Sequence, residues 1–510
     1  MKKIILFILV GSVILTPVLW ACGADNDGGA DKPPDVPAEE NSGDETVGGE
    51  ENPEDGGQAE IIKILPDLPD MDFEGYEFTV LSRVNGGPDW TEWAPRDIYA
   101  EEENSDLVND AVYRRNRAAE AKYNFTVKEF APSGGFDGAL SKAIKANDGA
   151  YDVVCPGLRD TFATQAQRGW LLDLFEVAYI DFSKPWWNQE APSQLSICGR
   201  LYGNFSDMLV LHKDSTEAMI FNKKLLAELN LESPYALVRD GKWTMDKLLE
   251  FTKAGKKDLD GDGEMKTEDQ FGLVAQLDSI TSWVHGAGMT FGSLDANGYP
   301  VDNFPENRRL YEVIEKSFEL MYDDGTINLH HYEGKFPIYD YQRKMFAENR
   351  GLVSWIRMRI VETLRAMETD FGIIPVPKYD AAQEKYYSSI NPYTSCTIAV
   401  PASCSDPDRA GFIIEALSAE SRYTLSPAYY DLTLKGKHSR DNDSEEMLDI
   451  IFSSTIFDVM EIYNFGNFVR EYIDLFRKKT QSEYISLYEK RLDKIYKDIE
   501  KCVDTFANID

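Results

Sequence analysis

Tyr76-Glu77-Phe78-Thr79-Val80-Leu81, Phe125-Thr126-Val127 and Tyr151-Asp152-Val153-Val154-Cys155 are three short runs rich in β-branched and aromatic residues. Each reads as a strand. Between the first two lies Asp106 to Tyr123, with Leu107, Val108, Ala111, Val112 and Ala118 at helical spacing. Between the second and third, Leu140 to Ala146 reads as another helix. Strand, helix, strand, helix, strand is the syntax of a parallel sheet with helical crossovers. Ligands of such sheets sit beyond the carboxyl ends of the strands. Pro156-Gly157-Leu158-Arg159-Asp160 lies at such an end, which makes Arg159 and Asp160 candidate ligand contacts.

The syntax recurs downstream. Ala218-Met219-Ile220-Phe221 predicts a strand that runs into a helix over Lys223 to Leu229, and Asp246 to Lys256 predicts a further helix. Gly351 to Trp355, Phe371 to Val376 and Ser395 to Val400 read as strands, and Pro407 to Ser418 as a helix. Ser482 to Phe506 reads as a long charged helix. With 510 residues, about 150 per domain gives roughly three folding units. Two α/β lobes with added C-terminal helices fit both length and order.

The formal charge is −35, from 88 acidic against 53 basic residues. Repulsion from phosphates argues against nucleic acid as a partner. Six cysteines are too few for a disulfide scaffold, and five histidines argue against a multi-histidine metal enzyme. There is no GxxxxGK, GxSxG or HExxH, and no CxxC that would suggest structural zinc.

Residues 1–22 read as an export signal. Lys2 and Lys3 precede an apolar run that is too short for a comfortable membrane span. The run closes on Leu19-Trp20-Ala21-Cys22, which resembles a bacterial lipobox and implies lipidation of Cys22, although Trp20 stands where a small residue is usual. Residues 23–60 hold thirteen acidic residues, one Lys and no aromatic. Such a segment buries too little apolar surface to order, so it reads as a disordered acidic tether reaching about 35 Å or more. The setting expected is the extracellular face of the membrane, or the periplasm in a Gram-negative cell.

Several segments from 75 to 510 resemble the extracellular solute-binding proteins of ABC importers, in their carbohydrate-binding branch. Ala218-Met219-Ile220-Phe221-Asn222-Lys223-Lys224-Leu225-Leu226 is similar to that family's strand-into-helix segment. Asp240-Gly241-Lys242-Trp243-Thr244-Met245-Asp246 resembles its Trp-Thr helix start, with Thr244 as cap. Phe371-Gly372-Ile373-Ile374-Pro375-Val376-Pro377-Lys378 resembles its strand exit, and Tyr429-Tyr430-Asp431, Arg440-Asp441 and Glu446-Met447-Leu448 resemble a tail block of clostridial members. The resemblance implies an α/β, two-lobed periplasmic-binding-protein-like fold of type II, its hinge crossed more than once. Lobe one is expected over 75–213 and 388–440, lobe two over 214–387 and 441–510. It further implies a monomer that passes a carbohydrate to ABC permease subunits and is held at the membrane through its lipid alone. Two other readings are a surface-tethered glycan-degrading enzyme and a non-transport adhesin.

Sugar C–H faces pack on aromatic rings, and sugar hydroxyls need charged or amide partners. Trp283, Trp355 and Tyr393 are therefore cleft candidates, with Trp355 resembling the family's stacking aromatic. Trp186 and Trp187, beside Pro185, look like scaffolding. Asp207 and Asp214 flank the first expected hinge crossing. A separate motif runs Asp258-Leu259-Asp260-Gly261-Asp262-Gly263-Glu264-Met265-Lys266-Thr267-Glu268-Asp269. Acids at positions 1, 3, 5 and 12 and Gly at 6 match a calcium loop, with the Glu264 carbonyl as the seventh-position ligand. Lys266 at position 9 and Asp269 in place of Glu depart from it. A structural Ca2+ is the expected ion; no catalytic cofactor is implied.

Overall fold

Tyr76–Leu81 (β1), Phe125–Phe130 (β2) and Val153–Val154 (β3) form one parallel sheet in the order β2-β1-β3. The structure, a computed structural model, describes residues 63–83, 93–133, 135–434, 442–478 and 483–509. The expected signal peptide, Cys22 and the acidic tether lie outside the described residues. Phe78 and Val80 are buried by the alternation of β1. Helix Leu107–Tyr123 returns the chain from β1 to β2. It starts at Asp106, whose carboxylate accepts from the N–H of Val108 and Asn109 at 3.1 and 2.9 Å. It ends at Asn124 in the left-handed conformation. The segment expected as a strand over Ser395 to Val400 is a ladder of isolated bridges. It runs antiparallel to the β3 region, Val154 facing Ala399 and Gly157 facing Cys396, and Asn204 pairs with Ile398 from its other side.

The second sheet has five strands and mixed direction. Glu217–Asn222 (β4), Phe271–Ala275 (β5), Thr326–Asn328 (β8), Gly351–Arg357 (β9) and Phe371–Ile374 (β10) lie in the order β10-β4-β9-β5-β8. Gly292–Leu294 (β6) and Pro300–Asp302 (β7) form a small hairpin beside it. β4 is antiparallel to β10 and β9, while β5 is parallel to β9 and β8. Helix Met245–Gly255 begins at Thr244, whose hydroxyl accepts from the Lys247 N–H at 3.2 Å. This helix lies so close to the sheet that a Cβ on Gly272 would sit 2.0 Å from the Thr252 carbonyl oxygen.

Three chain segments lie side by side between the sheets. Thr216 bridges Ile390, and the short strands Ser388–Ser389 (β11) and Thr455–Ile456 (β12) pair in parallel. The Asn391 N–H donates to the Ser215 carbonyl at 2.9 Å, and the Ser388 N–H to the Ser454 carbonyl at 3.0 Å. Helix Asn442–Ser453 packs on lobe two, where Leu448 and Ile451 share a core with Phe371 and Ile373. The last helix, Tyr484–Ala507, touches both lobes. Tyr488 stacks on Phe304 at 4.1 Å near its start, and Phe506 stacks on Tyr202 at 5.1 Å near its end.

Candidate functional site

The carboxyl ends of β1, β3, β5 and β9 converge on the gap between the lobes. This is where a ligand of a parallel sheet is bound. From lobe one come Arg83, Trp93 and Arg159; from lobe two Asp278, Tyr339 and Arg357; from the second hinge crossing Tyr393. Arg159 sits on a wide helical turn, Leu158–Phe162, that follows β3. Its guanidinium lies 4.7 Å from the centre of the Tyr393 ring and donates to Asn464 Oδ1 at 2.8 Å. Burial pushes the Tyr393 hydroxyl far up, so it stays a neutral donor. Arg83 fixes the Tyr393 turn by donating to the Thr394 carbonyl at 2.6 Å and to the Trp93 carbonyl at 3.3 Å.

Arg357 is the junction of the two lobes. It is the last residue of β9, and its guanidinium lies 4.7 Å from the Trp93 ring centre and 5.4 Å from that of Tyr339. Its ion pair with Asp278 spans 3.5 Å. Arg357 and Trp93 are each 2% exposed, so the lobes meet in this conformation. A second bridge joins Arg96 of lobe one to Glu362 of lobe two at 3.0 Å. Asp214 completes it, pairing Arg359 at 3.0 Å and Arg96 at 3.4 Å.

Behind these residues lies a buried acidic cluster. Glu217, at the start of β4, accepts from the hydroxyls of Ser282 and Ser389 and from Asn391 Nδ2 at 2.9 Å. Burial raises its pKa, and those hydrogen bonds oppose the rise. Asp458 accepts the N–H groups of Phe291 at 2.6 Å, Gly292 at 3.0 Å and Met460 at 2.9 Å. His285 Nε2 stands 3.4 Å from Asp458 and 4.0 Å from Glu461. Burial pulls the imidazole down, but Asp458 and Glu461 outweigh it and hold it above its ordinary value. Glu461 Oε1 is buried without a hydrogen-bond partner. Burial pushes Glu461 up to about 8, helped by Asp458 and Glu217 and opposed by His285 and Arg159.

The residues singled out in the sequence fall in different places. Arg159 and Tyr393 meet in the cleft. The Asp160 side chain lies outside the described residues. Trp355 lies beneath the cleft, wholly buried, its indole N–H donating to Ser282 Oγ at 2.8 Å. Trp283 is wholly buried on helix Ser279–Gly286. Neither ring offers a face to solvent in this conformation. Asp214 belongs to the bridge between the lobes. Asp207 stands among other residues, paired with Lys213 at 2.7 Å and Arg422 at 3.3 Å. Trp186 and Trp187 are scaffolding: both indole N–H groups donate to buried Glu415, at 3.0 and 2.8 Å.

Sequence reading missed Trp93, Tyr339, Arg357, Glu217, Asp458 and Glu461. Arg357 follows Trp355 by two on the same strand, so alternation and an estimate of where β9 ends could have found it. Glu461 has no local signal; the charged groups that act on it include Glu217, His285 and Arg159, all distant in the chain.

In the acidic loop, Asp258, Asp260 and Asp262 each bring one carboxylate oxygen within 4.8 Å of the others. Asp258 accepts from the Gly261 and Gly263 N–H groups, both at 2.7 Å, and these bonds lower its pKa. Asp269 is turned to the backbone instead, accepting from the N–H of Leu259 at 2.9 Å and of Lys266 at 2.7 Å. The Lys266 ammonium pairs with Asp262. Three carboxylates thus fit a hard cation, while Asp269 fastens the ends of the loop. The loop leads into the amino end of β5, opposite the cleft end.

The sequence model of bacterial extracellular solute-binding proteins matches residues 108–324. The fold is similar to that of an ABC substrate-binding protein of Listeria monocytogenes solved in complex with cycloalternan. The two are 13% identical, over 84% of this chain and 99% of that one, with a TM-score of 0.51. It is similar also to a cyclo/maltodextrin-binding protein complexed with maltotetraose, 14% identical over 83% of this chain and 96% of that one, at 0.51. A sugar transporter protein of Rhizobium etli in an open conformation is 13% identical over 86% of this chain and 100% of that one, at 0.52. A search of curated proteins finds no match. The two-lobed fold is that of the solute-binding proteins, and the family model matches part of the segment that carries the resemblance read from the sequence. No helix among the described residues is long and apolar enough to cross a membrane.

Proposed function

We propose that this chain, built on the fold of the two-lobed solute-binding proteins, captures a carbohydrate between its lobes and delivers it to an ABC permease. The observation that carries the reading is Arg357 of lobe two stacked on Trp93 of lobe one, at the carboxyl ends of the strands. In this conformation Arg357 covers the Trp93 ring and both are buried; parting of the lobes would bare an aromatic face beside guanidinium and carboxylate groups, which suits a sugar, whose C–H face packs on a ring while its hydroxyls hydrogen-bond. Closure then needs a ligand that contacts both lobes at once, so that it binds the closed state better than the open one. Arg159, Tyr393 and Trp93 serve one side, Arg357, Asp278 and Tyr339 the other.

The buried acids favour a binder over a glycosidase. A glycosidase works with two carboxyl groups flanking the scissile bond. Of the cleft acids, Glu217 and Asp458 are committed to hydrogen bonds within the protein and Asp278 to its pair with Arg357, which leaves Glu461 with one free oxygen. Titration calorimetry against a panel of oligosaccharides tests the proposal. We expect one of them to bind, Arg357→Ala to weaken that binding at least tenfold, about 1.4 kcal/mol, and the sugar to be recovered intact by mass spectrometry. No binding across the panel, or a cleaved product, refutes it. The anchor is the other half of the reading: lipid on Cys22, with 23–60 as tether. In a Gram-positive host, Cys22→Ala should release the protein into the medium; release of the wild type as well removes the anchor.

A further inference from the structure

The hinge has a second side. Along the first two crossings, Glu217, Ser389 and Asn391 meet one another, while Thr216 and Ile390, one residue away in each, line a separate cavity. Alternation along extended chain puts neighbours on opposite faces. The cavity has a volume of about 340 Å³ and takes its wall from three parts of the molecule. Lobe one supplies Trp187, Phe205, Asp207 and Lys213, the hinge supplies Thr216 and Thr455, and helix Asn442–Ser453 on lobe two supplies Asp449 and Phe452.

Its chemistry is specific. Asp207 and Lys213 are both buried, and the ammonium also donates to Ser426 Oγ at 2.8 Å. Arg422 and Asp449 add one charge of each sign, so the wall has no net charge to offer an ion. His212 is 9% exposed, lines the cavity, and its Nδ1 has no partner. Burial, then Lys213, pushes this imidazole down to about 3, so it is neutral, and its ring also meets the Leu209 carbonyl. In a neutral imidazole one nitrogen donates and the other accepts, so Nδ1 is a hydrogen-bonding group that lacks a partner. A buried polar atom left so is costly unless something fills the space. At about 30 Å³ per water, the volume matches some eleven waters, or one pyranose of twelve heavy atoms.

We propose that this cavity is a second binding site, for a neutral polyhydroxylated ligand the size of one pyranose ring. One hydroxyl pairs with His212 Nδ1, others exchange hydrogen bonds with Asp449 and Arg422, and the C–H face lies against Phe452. The site stands independently of the cleft reading. The test uses the full chain and D-glucose, read by saturation-transfer NMR and calorimetry. Ser453→Trp fills the cavity from an exposed rim position. His212→Phe removes the ring nitrogen. We expect Ser453→Trp and His212→Phe each to weaken glucose binding at least tenfold. If glucose binds the wild type and Ser453→Trp alike, the site lies elsewhere. If neither glucose nor glycerol binds the wild type, the cavity holds water only. Either result overturns the proposal, and Ser453→Trp keeps it open to refutation should His212→Phe fail to fold.

Discussion

Glu461, His285, Asp458 and Glu217 share one buried pocket, and a proton is worth more there than in water. Burial raises the Glu461 pKa from its ordinary 4.5 to about 8. A folded-state value above the unfolded one stabilises the fold fully below pH 4.5, and that stability declines as pH rises toward 8. His285, also raised, acts in the same direction. We expect wild-type stability to fall between pH 5 and pH 8 by at least about 1 kcal/mol, and Glu461→Gln to flatten that slope. Equal slopes in thermal melts of the two proteins would falsify the assignment. At this scale the sequence was legible only in part. Arg159 was singled out because a strand end precedes it, and it does stand beside Tyr393. The tryptophans were misleading because sequence reports an aromatic residue but not which way its ring turns. Trp283 and Trp355 turn inward, and the face that Arg357 meets belongs to Trp93.

Elements were more legible than residues, for reasons visible in them. Leu107–Tyr123 was readable because its apolar residues recur at helical spacing and Asp106 caps it; Met245–Gly255 announced itself through Trp243-Thr244. β8 and the β6–β7 hairpin have three residues per strand, too few for alternation to register. The mixed direction of the second sheet was not legible either, because it depends on β4 leaving the hinge while β9 returns to it. The acidic loop was read from spacing alone, and its geometry bears directly on the ion. Asp258, Asp260 and Asp262 crowd together and repel; a divalent cation bound only by the folded state would relieve that and stabilise it by mass action. A chelator should therefore lower the melting temperature of the wild type and leave Asp260→Ala unaffected. Melting curves of the metal-free wild type that ignore added calcium dispose of the ion.

For the whole molecule, the two-lobed plan was legible because the order of motifs survives where each motif alone is modest. What no single segment could carry was the hinge, made by residues 216, 390 and 455 lying together. Across it, Arg357 on Trp93 and Arg96 on Glu362 hold the lobes in contact. An exposed ion pair contributes little, but partly buried pairs that span two bodies act on their orientation. We expect Arg96→Ala with Arg357→Ala to raise the radius of gyration of the ligand-free protein in small-angle scattering. An unchanged radius assigns the closed contact to other residues.

The last helix is fastened at one end to Phe304 of lobe two and at the other to Tyr202 of lobe one. Neither lobe is complete without it, and each is assembled from pieces far apart in the chain. Domains that form from contiguous sequence can close while the ribosome is still elongating them. Here the helix that fastens the two lobes is translated after both of the segments it joins. Its contacts with Phe304 and Tyr202 therefore wait until residues 484–507 have been made, so the orientation of the lobes is fixed later than either sheet.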